Sequence, residues 1–130
     1  MADFRVQFEE IGQAFVKHYY AMFDDPNSRT NSLINLYLQE QCVQTFEGSK
    51  SAGVEQIKAR LAGLTFQKIQ RGITSVDCQP LSDGVLVVAM GQLKTDDDLP
   101  QSFHESFVLR STPNGFFITN NIFRLVLHHN

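Results

Sequence analysis

Residues 85–109 read VLVVAMGQLKTDDDLPQSFHESFVL, and the rest of the chain can be read outward from them. Val85 to Lys94 and Gln101 to Arg110 are apolar runs rich in β-forming residues, separated by a tip carrying Asp96, Asp97 and Asp98. Two such runs joined by a short polar link form a long hairpin that holds a negatively charged knuckle out into water. On an extended tip Asp96 and Asp98 project to the same side, which suits bonding to two basic groups on a partner. A solvated turn accounts for the same three aspartates and is the reading that spacing alone favours.

Before the hairpin, Phe66 to Cys78 is rich in Ile, Val and Thr and runs into Pro80, Ser82, Asp83 and Gly84, a strand followed by a turn. After it, the turn Thr112-Pro113-Asn114-Gly115 leads into a last strand from Phe116 to His128. The N-terminal half has a helical period. Phe4, Phe8, Ile11, Phe15, Tyr19 and Met22 recur at three- and four-residue steps, which predicts a helix from about Asp3 to Phe23 with Asp3 as N-cap. Asp25-Pro26 opens a second, short helix with an apolar stripe of Leu33, Ile34, Leu36 and Tyr37. Cys42 to Phe46 is a short strand, Gly48-Ser49 a turn, and Ser51 to Leu61 a third helix ended by Gly63. Helices gathered in the first half and strands in the second make one α+β domain over residues 1–130, with the helices on one face of a curled antiparallel sheet.

A chain of 130 residues buries roughly two thirds of the surface it exposes when unfolded, so a substantial core is available. That core is built from phenylalanine, with eleven Phe, three Tyr and no Trp. The charged fraction of 19% is below the roughly 25% of an average soluble protein, which favours a homo-oligomer or an apolar binding site. A net charge of −3 without a basic cluster argues against nucleic acid and anionic membrane as partners. Cys42 and Cys78 lack metal-binding or redox spacing and read as reduced, buried thiols. The first residues have no apolar signal segment, and no run approaches the roughly 20 apolar residues of a membrane span, so a soluble intracellular protein is expected.

The titratable candidates for catalysis are His18, His104, His128, His129, Glu47, Asp77 and Glu105. His18 sits one step from the core face of the first helix and reads as a buried structural histidine. His104 and Glu105 are neighbours on one strand, point to opposite faces and cannot act as an acid/base pair. The DDDLP tip lacks the alternating spacing of a calcium loop. No nucleophile elbow, phosphate loop, zinc-helix or dinucleotide motif is present. No catalytic residue, metal or cofactor is indicated.

Several segments taken together resemble the nuclear transport factor 2 family: IGQAFVKHYYAMFD, TFEG, LTFQKIQRGITSVDCQP, GQLKTDDD, FHESFVLR and TNNIFRLVLH. They occur in the family's order over nearly the whole chain. The resemblance implies a cone in which three helices pack on a strongly bent antiparallel sheet, paired as a homodimer through the sheet faces, and no catalysis. It implies a nuclear import carrier that binds Ran-GDP and, separately, phenylalanine-glycine repeats of nucleoporins, found in cytoplasm and nucleus and enriched at the nuclear pore. Glu47, Asp96 and Asp98 match the carboxylates that pair with basic residues of Ran, and a Ran aromatic enters the cavity mouth beside Phe46. Phe8, Leu64, Phe66, Ile69, Val88 and Ile122 match the apolar nucleoporin contacts. Phe46 and Phe8 stand where the family usually has tryptophan, Arg71 replaces a frequent histidine, and the connector from Asp24 to Leu33 is longer. The alternative is a small-molecule isomerase or dehydratase using the same cone, which requires a carboxylate or histidine of raised pKa inside the cavity.

Overall fold

The computed structural model describes residues 4–126, with side chains from Gln7 onward. The expected Asp3 cap, the side chain of Phe4, and His128 and His129 lie outside the described residues. Three helices, α1 (Phe4–Phe23), α2 (Pro26–Asn31) and α3 (Gly53–Ala62), accompany six strands: β1 (Val43–Phe46), β2 (Ser49–Ala52), β3 (Ile69–Leu81), β4 (Gly84–Thr95), β5 (Gln101–Thr112) and β6 (Gly115–Leu125). The strands form one sheet in the order β2-β1-β6-β5-β4-β3.

The acidic stretch does join two long arms. β4 and β5 pair antiparallel from Gly84↔Arg110 to Leu93↔Gln101. β3 and β6 extend the meander on either side, with register shifts at Ile73/Ser75 and Val108/Leu109. Such bulges bend a strand and raise its twist, so the long strands curl over the helices. The inner face carries Val85, Val87, Ala89, Phe103, Phe107, Leu109, Ile118 and Phe123, all buried. α1 lies across β3 and β4 and supplies Val16, Tyr19, Tyr20 and Phe23 to the same core. Phe107 receives the rings of Tyr19 and Phe15 edge-on at centroid distances of 4.8 and 5.2 Å.

α1 approaches the sheet closely at Gly12. A methyl group there would meet Cys78 Sγ at 2.2 Å and Val87 Cγ2 at 3.2 Å. Overpacking of this kind costs about 1–3 kcal/mol, against the ~1 kcal/mol that alanine gains over glycine in a helix. Gly12→Ala is therefore expected to lower the thermal midpoint, and a raised midpoint in a calorimetric scan would show the contact to be slack.

Four expectations need correction. The sheet is mixed, because β1 runs parallel to β6 with Val43↔Asn120 through Phe46↔Phe123. Ser49–Ala52 is a strand, and the turn before it is Glu47-Gly48, with φ of 52° and 86° at its two residues. Two consecutive positive φ values give a two-residue hairpin loop that matches strand twist, and Glu-Gly here fills the role usually signalled by Asn-Gly. The stripe Leu33, Ile34, Leu36 and Tyr37 lies on a single 3-10 turn (Leu33–Leu36) and the residue after it, not on α2. α2 does begin at Asp25-Pro26 as the pattern required: Asp25 accepts from the Asn27 amide at 3.3 Å and from the Ser28 hydroxyl at 2.9 Å. Finally, His18 is exposed, because the buried face of α1 is centred on Val16, Tyr19, Tyr20 and Phe23, on the opposite flank of the helix.

Candidate functional site

The concave side of the sheet closes around a cavity of about 230 Å³. Its wall is apolar and largely aromatic: Phe23, Phe46, Phe66, Ile69, Leu93, Phe123 and Leu125 line it. Phe46 stacks on Phe123 at 4.8 Å and 16°, and Phe123 stacks on buried Phe103 behind the wall at 6.0 Å and 24°. Leu99, 82% exposed, stands at the lip beside Asp98. An apolar slot with few convergent polar groups is the usual form of a recognition cavity.

The structure brings Phe46, Glu47 and Asp98 together on this cavity. Glu47 occupies the left-handed position of the β1–β2 turn. Its amide donates to Phe123 O at 3.0 Å and its Oε1 accepts from the Leu125 amide at 2.5 Å, so its backbone and side chain continue the pairing along β6. Asp98 faces the mouth, with Oδ2 accepting from Thr95 Oγ1 at 3.3 Å. Asp96 has a different setting. The tip is a tight turn, Asp96 adopts φ 49°, and its Oδ1 accepts from the amides of Gln67 and Lys68 at 3.1 and 2.9 Å. Asp96 thus ties the tip to the 64–68 segment, and the extended geometry in which Asp96 and Asp98 share a side does not occur.

The six apolar residues matched to nucleoporin contacts fall in separate places within one chain. Phe66 and Ile69 line the cavity, Leu64 precedes them in the same loop, and half-buried Phe8 packs on the core from α1. Val88 and Ile122 lie on the outer face of the sheet, flanking Ser106 across three strands. On that face Met90 is 47% and Ile122 45% exposed.

Polar groups beneath the cavity went unassigned in the sequence reading. Glu105 is 4% exposed and lines the cavity from β5. Tyr20 Oη donates to its Oε1 at 2.9 Å, and Asn121 Nδ2 donates to its Oε2 at 2.9 Å. Asn121 Oδ1 in turn accepts from Tyr37 Oη at 2.8 Å and Gln44 Nε2 at 3.3 Å. Burial drives the Glu105 carboxyl up to about 7, opposed by the hydrogen bond from Asn121, the nearby Arg71 charge and the hydrogen bond from Tyr20. Arg71, also on the lining, is held by Asp24 through a fork, Nη2 to Oδ1 at 2.7 Å and Nε to Oδ2 at 3.1 Å. Its guanidinium lies 3.9 Å from the Tyr20 ring centroid. The signal for Glu105 was present: it alternates with Phe103, Phe107 and Leu109, which places it on the inner face.

Comparison with known proteins gives consistent findings. The family model described as "Nuclear transport factor 2 (NTF2) domain" matches residues 11–125. The chain is 45% identical over 132 residues to the probable nuclear transport factor 2 of Caenorhabditis elegans, covering 98% of this chain and 99% of that one. It is 40% identical over 121 residues to nuclear transport factor 2B of Arabidopsis thaliana, covering 90% and 93%. The solved structure of nuclear transport factor 2 from Cryptosporidium parvum superposes with a TM-score of 0.83 at 38% identity, covering 92% and 95%. With three helices on a curled six-stranded sheet and sequence identity of this extent, the chain belongs to the nuclear transport factor 2 domain family.

Proposed function

We propose that this chain is a nuclear import carrier that binds Ran-GDP at the cavity mouth and, separately, phenylalanine-glycine repeats of nucleoporins. The observation that carries the reading is an aromatic slot with two carboxylates, Glu47 and Asp98, at its mouth. An inserted aromatic ring buries apolar area worth a few kcal/mol, and lysine or arginine beside it bonds the carboxylates. Neither contribution is strong alone. Together they make binding depend on a partner surface that presents ring and cation at one spacing, which is how a switch segment in one nucleotide state is distinguished from the other. The outer face of the sheet, where Val88, Met90 and Ile122 lie, is the surface on which two copies pair, and the carrier works in cytoplasm, nucleus and nuclear pore.

Carrier rather than enzyme is supported by the lining itself. Among the described residues it holds no histidine, cysteine or lysine, and the one deep carboxyl, Glu105, already accepts a hydrogen bond on each oxygen. Its elevated pKa is the observation that favours the small-molecule isomerase or dehydratase alternative, and a second acid/base group directed at the same point is missing from the lining.

Titration calorimetry with Ran loaded with GDP, and in parallel with a GTP analogue, tests the proposal. Glu47→Gln keeps the acceptor that Leu125 uses and removes only the charge. It and Asp98→Asn are each expected to weaken Ran-GDP binding about tenfold or more, since a charge-assisted hydrogen bond contributes ~1.5–3 kcal/mol. Binding is expected to weaken with added salt and to be absent with the GTP analogue. Equal affinity of wild type and both variants removes the carboxylates from the site; no binding by wild type removes Ran as the partner.

A further inference from the structure

Arg29 is 1% exposed, and among the described residues no carboxylate pairs with it. A buried guanidinium normally has an ion-pair partner, and burial depresses the pKa of this one. What Arg29 has instead are backbone carbonyls and rings. Nη1 donates to Phe23 O at 3.0 Å, Nη2 donates to Phe66 O at 2.5 Å, and the guanidinium carbon lies 4.6 Å from the Phe66 ring centroid and 5.5 Å from that of Phe23. Nε is buried without a partner. Every contact leads either to the end of α1 or to the 64–68 loop.

That loop has no strand or helix hydrogen bonds of its own, yet it supplies Phe66 to the cavity wall. From the far side Asp96 holds it: Oδ1 accepts from the Gln67 and Lys68 amides, and the Asp96 amide donates to Lys68 O at 2.7 Å. The loop is clasped from the core by a cation and from the rim by a carboxylate. We infer that Arg29 is a positioning residue for the recognition cavity: it fixes the carbonyl and ring of Phe66, and so sets the width of the mouth into which a partner's side chain inserts. The assignment rests on the cavity being the partner site, and it explains why the connector from Asp24 to Leu33 carries an arginine inward. Lysine in its place lacks the planar fork that bonds the two carbonyls from separate nitrogens and cannot lie flat on the rings.

Nuclear magnetic resonance tests the clasp without reference to any partner. In the wild type the Arg29 Nη protons are expected to exchange at least tenfold more slowly than those of Arg110, whose side chain is 43% exposed. In Arg29→Lys and Arg29→Met the Gln67 and Lys68 amides are expected to exchange tenfold or more faster below the unfolding transition, while Phe107 and Asn121 on β5 and β6 keep wild-type protection. Ran-GDP affinity should fall at least tenfold in the same variants. Fast Arg29 exchange in the wild type overturns the proposal even if both variants fail to fold. Uniform loss of protection across loop and strands overturns it too, because that is what a merely structural residue gives. A loosened loop with unchanged Ran-GDP affinity refutes the positioning role, whereas failure of the wild type to bind Ran-GDP refutes the proposed function and leaves the exchange result to judge the clasp.

Discussion

Asp24→Ala is expected to destabilise the protein by about 3–5 kcal/mol, the range seen when one member of a buried ion pair is deleted and the other is left uncompensated. Arg71 is the group left behind. Its side chain is only 4% exposed, sandwiched among the rings of Tyr20 at 3.9 Å, Phe103 at 5.0 Å and Phe23 at 5.6 Å, and its Nη1 is already without a partner. Asp24 supplies both of the acceptors that Nε and Nη2 use. Against a total stability of roughly 5–15 kcal/mol the loss is a large fraction, and a midpoint drop on the order of 10–20 °C follows. Urea unfolding monitored by circular dichroism gives the value directly. The double variant Asp24→Leu with Arg71→Met should recover most of it, because replacing a whole buried pair by apolar residues is close to neutral. A single variant within about 1 kcal/mol of wild type would show that solvent reaches Arg71 once Asp24 is gone.

The same pair shows where the sequence was informative and where it was not. The hairpin around the acidic tip, the long amphipathic helix and the Asp25-Pro26 start were legible because period, turn residues and capping residues are local signals. The parallel pairing of β1 with β6 was not, since four residues such as Val43–Phe46 carry no information about which distant strand they will lie beside. The same holds for Asp24 and Arg71, which meet across 47 positions, and for Arg29, whose hydrogen-bond partners are carbonyls rather than side chains. Ser49–Ala52 was misread because its polar composition lacks a strand pattern; its pairing with β1 supplies what propensity does not.

At the candidate site the same division applies residue by residue. Phe46 and Glu47 sit in a short hairpin whose alternation turns the ring inward and whose turn leaves the carboxylate at the rim. Asp98 is reached by counting along the acidic tip. Asp96 cannot be placed by counting, because its left-handed backbone and its grip on amides 28 and 29 residues away are tertiary facts. With its Oδ1 engaged by two amides of the loop, Asp96 helps hold the segment that carries Phe66.

Glu105 gives the second large effect, and its sign is opposite to that of most carboxylates. Its carboxyl is raised from 4.5 to about 7 in the folded chain, chiefly by burial, so the folded state holds a proton that the unfolded state has already released. Stability from this group is fully present below about pH 4.5 and is lost as pH rises through 7, a change on the order of 3 kcal/mol at ~1.4 kcal/mol per pKa unit. The groups facing it are Tyr20 from α1, Asp24 just after that helix, Arg71 from β3 and Asn121 from β6, and of these Arg71 brings the positive charge. Chemical unfolding of wild type and Glu105→Gln from pH 5 to pH 8 isolates the term, because other titrating groups cancel in the difference. The variant should gain on the wild type as pH rises, with the crossover governed by how well its amide satisfies Tyr20 and Asn121. A difference that instead moves in favour of the wild type with rising pH would mean that Arg71 holds Glu105 as a carboxylate, making the cavity floor an ion pair rather than a neutral acid.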